Sequence, residues 1–69
     1  MNEKEARAII GDLAKRFAKS GEKVNISDFQ SSSDGSYWKA NLRKVINDCE
    51  ITALAIACRR YGAVLILNA

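Results

Sequence analysis

The first twenty residues place apolar side chains at helical spacing. Asn2 and Glu5 have the spacing of a capping box, in which the side chains satisfy free backbone amides at a helix start. Ser20 and Gly21 supply a stop signal. The pattern predicts an amphipathic N-terminal helix that packs through one face. Its apolar stripe consists of Ala6, Ile9, Ile10, Leu13, Ala14 and Phe17.

The segments that follow the helix, residues 24–29 and 31–36, predict a strand and a loop. Apolar and polar residues alternate over 24–29, VNISDF, which predicts a short strand. Residues 31–36, SSSDGS, are small and turn-forming, and they predict a flexible loop.

After the loop, helical spacing returns. Apolar residues at i, i+4, i+7, i+8 and i+11 predict a second amphipathic helix that docks on the first. Its opposite face would be basic and polar. The apolar set is Trp38, Leu42, Val45, Ile46 and Cys49, and the polar set is Lys39, Arg43, Lys44 and Asn47, with Asn41 on the margin.

Residues 51–58 support two interpretations. Their alanines favour helix, whereas their period-two alternation favours a strand. Residues 63–67, AVLIL, read as a buried strand. We predict a hairpin that turns at Arg59, Arg60, Tyr61 and Gly62; the alternative is a helix that ends at Gly62 and is followed by one strand.

Together these elements predict one α+β domain over residues 1–69. It contains an N-terminal helix, a short strand, a second amphipathic helix and a C-terminal β-hairpin, arranged as a small two-layer or winged-helix-like domain.

Composition argues against an enzyme. The chain has 69 residues, two cysteines and no histidine, so it lacks a side chain that ordinarily titrates near neutrality and an imidazole metal ligand. Two cysteines do not complete a four-ligand zinc site. We therefore predict no catalytic residues, no metal, no cofactor and no small-molecule substrate.

The cysteines and the chain ends also indicate a compartment. Cys49 and Cys58 stand among apolar residues, which predicts two buried thiols in a reducing environment. The N-terminus lacks the pattern of a signal peptide, and no apolar segment reaches the length of a membrane helix. We expect a cytoplasmic protein without membrane contact, from a bacterium, a phage or another mobile element.

The positive charge is unevenly distributed. Residues 1–38 hold six basic and six acidic side chains, so the whole net charge of +3 comes from residues 39–69. The basic residues of that half fall on the predicted second helix and on the Arg59–Arg60 turn. An anionic partner would explain this concentration, and an ordinary solvated face is the alternative.

Residues 41–69, with NLRKVINDCE followed by AIACRRYGAVLIL, resemble the Phd/YefM antitoxin family. In that resemblance Asn41 and Leu42 open a helix, Arg59 and Arg60 occupy a turn, and residues 63–66 form the last strand. The resemblance implies a dimeric α+β DNA-binding domain that represses its own operon and neutralises a toxin.

Two functional hypotheses follow. The first is a small regulatory protein that binds DNA as a dimer and controls transcription. Its contact residues would be Lys39, Asn41, Arg43, Lys44, Asn47, Arg59 and Arg60.

The second is an inhibitor or accessory factor that blocks a host protein. Tyrosine and tryptophan dominate interface hot spots. Its anchors would be Tyr37, Trp38 and Tyr61.

Overall fold

The computed structural model describes residues 1–68, which form one helix and one antiparallel sheet. Strands follow each other in the sheet in chain order, and the helix covers one face. The helix α1, within these residues, is not long and apolar enough to cross a membrane. The elements are α1 (Glu3–Phe17), β1 (Asn25–Ser31), β2 (Tyr37–Ile46), β3 (Cys49–Cys58) and β4 (Gly62–Leu67).

The N-terminal helix is confirmed, and Asn2 is its N-cap, with one of the two hydrogen bonds of the predicted capping box. The Glu5 amide donates to Oδ1 of Asn2 at 2.8 Å, which satisfies an amide that the helix itself leaves free. The predicted stripe faces the sheet, with Ile9 only partly buried. Its buried members are Ala6, Ile10, Leu13, Ala14 and Phe17.

The second helix and the winged-helix arrangement are wrong, because residues 37–46 form β2 and residues 49–58 form β3. Apolar residues at i, i+4 and i+8 share a face in a strand as well as in a helix, since these spacings are even. Asn47 and Asp48, with φ of 51° and 62°, form a two-residue hairpin turn near the end of the predicted helix. Positive φ at both positions matches the twist of the strands that the turn joins.

The C-terminal hairpin is confirmed, and residues 51–58 are strand. Gly62 has a φ of 76° at the end of the β3–β4 turn, where an L side chain would be strained. Ala53, Ala55 and Ala57 of β3 point toward α1 and are buried. Side chains this small leave room for the helix to lie close to the sheet.

The two cysteines correct a further expectation. Cys49 is exposed at the start of β3, and Cys58 is half-buried at its end. Neither thiol is fully buried, because Cys49 follows the hairpin turn directly and Cys58 lies on the sheet face opposite α1.

The two outer strands differ in regularity. In β1 the pairing register shifts between Ser27 and Gln30, and Asp28 has a φ of 54°. This is a bulge, which bends a strand and interrupts its hydrogen-bond ladder. By contrast, β4 pairs with β3 without a shift from Gly62 to Leu67.

Candidate nucleic-acid interface

The sheet face opposite α1, called here the open face, is not covered by any element within residues 1–68. Side chains alternate between the two faces along each strand. The open face therefore carries the odd positions of β2 and the even positions of β3 and β4, which point away from the helix. The side chains on β2 are mostly polar, whereas the central ones on β3 and β4 are apolar. Its central members are Tyr37, Lys39, Asn41, Arg43, Val45, Leu54, Ile56, Val64 and Ile66.

Three predicted contact residues lie in a line along β2 on the open face. They are Lys39, Asn41 and Arg43, at alternate positions of the strand. The Asn41 side-chain amide donates to Oδ2 of Asp28 at 2.8 Å, and Nε of Arg43 lies 3.3 Å from Oε1 of Glu50. Asn41 and Arg43 are therefore already engaged by acidic side chains, whereas Lys39 has no ion pair within residues 1–68.

A second group of predicted residues meets at one end of the open face, and we call it the Arg corner. Tyr37 pairs with Cys58, so the start of β2 lies beside the turn that holds Arg59, Arg60 and Tyr61. The Arg59 amide donates to the Ser36 carbonyl at 3.4 Å and links the turn to the start of β2. The members of the Arg corner are Tyr37, Arg59, Arg60 and Tyr61, and Lys39 of the β2 line borders it beside the two tyrosines.

The aromatic rings of the Arg corner are accessible. Tyr37 is 39% exposed and Tyr61 is 70% exposed. The Arg60 guanidinium lies 5.4 Å from the centroid of the Tyr61 ring, a favourable cation–π arrangement. Within residues 1–68 neither Arg59 nor Arg60 forms an ion pair. The corner thus presents cations and aromatic faces side by side.

One acidic residue borders the Arg corner. Asp34 lines the same groove as Arg59, Arg60 and Tyr61. Hydrogen bonds from the Ser36 amide, and from the hydroxyls of Ser32 and Ser36, lower the pKa of Asp34 to about 2. Asp34 is therefore ionised at neutral pH and reduces the local positive charge by one. These bonds also organise the turn predicted as a flexible loop.

Lys44, also a predicted contact residue, lies on the helix-covered side of the sheet and not on the open face. Its Nζ donates to the Phe17 carbonyl at 2.7 Å and to Oε1 of Glu22 at 2.9 Å, and it lies 4.5 Å from the Phe17 ring centroid. The Lys19 amide and the Lys44 ammonium both hydrogen-bond Glu22 and lower its pKa. Lys44 is 8% exposed, so it ties the end of α1 to the sheet and does not reach a ligand on the open face.

Asn47 and Trp38 are also separated from the Arg corner. Asn47 lies in the β2–β3 turn, at the opposite end of β2. Trp38 lies on the helix-covered face, stacks on Phe29 at 4.9 Å and donates its indole N–H to the Met1 carbonyl at 3.3 Å. Of the three predicted aromatic anchors, the structure therefore brings together Tyr37 and Tyr61.

The sequence prediction missed the apolar half of the open face. Leu54, Ile56 and Val64 line a shallow depression between Tyr37 and Tyr61. The signal was present as the period-two alternation of residues 51–58, in which the larger side chains occupy even positions.

Within residues 1–68, side chains that could bind a metal do not cluster in groups of three or more. Comparison of the chain with protein-family models, with curated proteins and with solved structures finds no match.

Proposed function

We propose that this protein binds nucleic acid through the Arg corner and the adjoining line of β2 residues, with single-stranded DNA as the preferred ligand. The observation that carries the proposal is the placement of Arg59 and Arg60 in one groove with the exposed residues Tyr37 and Tyr61, and of Lys39 beside the same two tyrosines. In this proposal the protein is a non-enzymatic regulator in the cytoplasm of a bacterium or a phage host. It acts by contact, as a dimer.

The geometry favours single strands over duplex. Proteins that bind single strands combine a positively charged groove with aromatic side chains on which bases stack. The basic residues Lys39 and Arg43 stand on a strand, so the expected recognition helix for a major groove is absent from residues 37–58. Asn41, the predicted reader of adenine, has its side-chain amide engaged by Asp28.

A paired charge-removal experiment tests the proposal. Arg59→Ala with Arg60→Ala should weaken binding of a labelled single strand in fluorescence anisotropy. The slope of log K against log salt should flatten by about 0.7 for each phosphate that the variant no longer neutralises. The matched control is Lys4→Ala with Lys15→Ala, which removes the same charge from exposed positions on α1. Equal weakening in both double variants would show that only net charge matters and would contradict a defined site.

A protein-binding role is the second candidate, favoured by the apolar depression of Leu54, Ile56 and Val64. Its rim carries Tyr37 and Tyr61, side chains that are typical interface anchors. We expect a stoichiometric protein to remain on the immobilised chain after nuclease treatment of a host lysate, and to be absent with Ile56→Lys. Recovery of nucleic acid without a protein from the untreated lysate would contradict the protein-binding role and agree with the proposed nucleic-acid binding.

A further inference from the structure

The outer edge of β4 lacks the usual protection of an edge strand. Its sequence, GAVLIL, contains no charge and no proline. Ile66 and Leu67 are 46% and 65% exposed, on opposite sides of the strand. Within residues 1–68 no strand pairs with this edge, so alternate backbone amides and carbonyls point outward as a template for another strand.

The other edge of the same sheet has the protection that β4 lacks. The β1 bulge at 27–30 interrupts its ladder, and Asp28 adds a charge. Bulges and charged residues are the usual devices by which edge strands avoid pairing with another chain. Of the two edges, β4 is therefore the one that is open to pairing with another strand.

We infer that β4 pairs antiparallel with β4 of a second copy of this chain, about a two-fold axis near Leu65. Rotation about a two-fold axis normal to the sheet leaves the open faces of both copies on the same side. Residues that pair across the interface must therefore belong to the same face in both copies. Centred on Leu65, the register sets Val64 beside Ile66 of the second copy and Ala63 beside Leu67 of the second copy. Every such pair is apolar, so the strand is complementary to itself on both faces.

Charge placement also fits this arrangement. The Arg59–Arg60 turn lies directly before β4, and the antiparallel register sends the two turns to opposite ends of the interface. With about 3.4 Å per residue, the two Arg60 positions are on the order of 30 Å apart. A parallel pairing would place the two turns side by side, so that their positive charges would repel each other. The chain's excess of basic residues is therefore compatible with the antiparallel dimer.

The size of the contact predicts its strength. One six-residue strand pairs at the interface, so the area falls in the low range, below about 1,200 Å² in total, where complexes are weak or transient. We therefore expect a dimer whose population depends on protein concentration. The apolar half of each open face then becomes continuous across the two-fold axis.

Molar mass measured by sedimentation over about a hundredfold range of protein concentration tests the inference, since mass action makes a weak dimer dilute away. The mass should rise from 7.6 kDa toward twice that value. Ile66→Lys should raise the dissociation constant by about tenfold, because a lysine on an edge strand opposes pairing. The matched control is Ile26→Lys in β1, where the isoleucine is 47% exposed and the dimer should be unchanged.

Hydrogen exchange supplies a readout that does not depend on a substitution. The outward amides of β4 in the unaltered chain should gain protection as the concentration rises, while those of β1 should not. A mass that stays at 7.6 kDa at every concentration overturns the inference. A dimer that protects β1 in place of β4, or that Ile66→Lys leaves intact while the variant remains folded, overturns it as well.

Discussion

Replacing Leu42 with alanine should lower the free energy of unfolding by about 2–5 kcal/mol, as large-to-small core substitutions do. Leu42 is 0% exposed at the centre of β2, beneath α1. Its buried sheet neighbours include Ala40 and Ala53, which are too small to fill the space that the leucine leaves. The cavity should therefore persist, and the destabilisation should lie toward the upper part of the range.

This destabilisation is large relative to the whole stability of such a chain. A single core in a protein of this size rarely supplies more than about 3–5 kcal/mol. Leu42→Ala should therefore be substantially unfolded without denaturant, as followed by circular dichroism during urea titration. The control is Val45→Thr on the same strand, where the side chain is 56% exposed, with an expected change within about 0.5 kcal/mol. Equal urea midpoints for the two variants would contradict the assigned faces of β2.

Replacing Lys44 with methionine should have the second-largest effect. We expect a decrease of about 1.5–3 kcal/mol in the free energy of unfolding, because buried hydrogen bonds of a charged group are strong. Methionine keeps most of the apolar stem, but it leaves the Phe17 carbonyl without its donor and Glu22 without its ammonium. The control is Arg43→Met, the adjacent residue on the open face. Its ion pair with Glu50 is about half exposed, and such pairs contribute under about 1 kcal/mol.

Urea titrations of Lys44→Met measure this decrease, and repeating them at several pH values tests the prediction independently. Glu22 has a pKa below its ordinary value of 4.5, first because of the Lys19 amide and then because of Lys44. Its contribution to stability is therefore complete above pH 4.5 and is lost as the pH falls through the lowered pKa. Lys44→Met should reduce this acid destabilisation without abolishing it, since the Lys19 amide remains. If Lys44→Met and the unaltered chain lose the same free energy of unfolding at low pH, the Glu22–Lys44 contact is contradicted.

Local signals in the sequence are sufficient for some elements and misleading for others. The first helix follows from a cap at Asn2 and a continuous apolar stripe, and the last hairpin follows from Gly62 and the aliphatic strand after it. The second helix is wrong because Trp38, Leu42 and Ile46 satisfy both periods, and because the Asn47–Asp48 turn falls within the helical pattern. In this segment the tight turn, and not the apolar period, distinguishes two strands from a helix.

The candidate site is predictable in its residues but not in its geometry. The Arg59–Arg60 turn, Lys39 and the two tyrosines all follow from the sequence, and the register between β2 and β3 brings them to one end of the sheet. The burial of Lys44 is not predictable, because its partners Phe17 and Glu22 are more than twenty residues away in the chain.

The order of the strands has a consequence for how the chain folds. Each strand pairs with its neighbour in sequence, so the sheet is assembled from successive hairpins with short loops. Contacts that are local in sequence favour fast folding, and an isolated hairpin forms in about 1–10 μs. The helix α1, by contrast, precedes the whole sheet and packs on β2, β3 and β4. We therefore expect the β2–β3 hairpin to form early and helix docking to limit the folding rate.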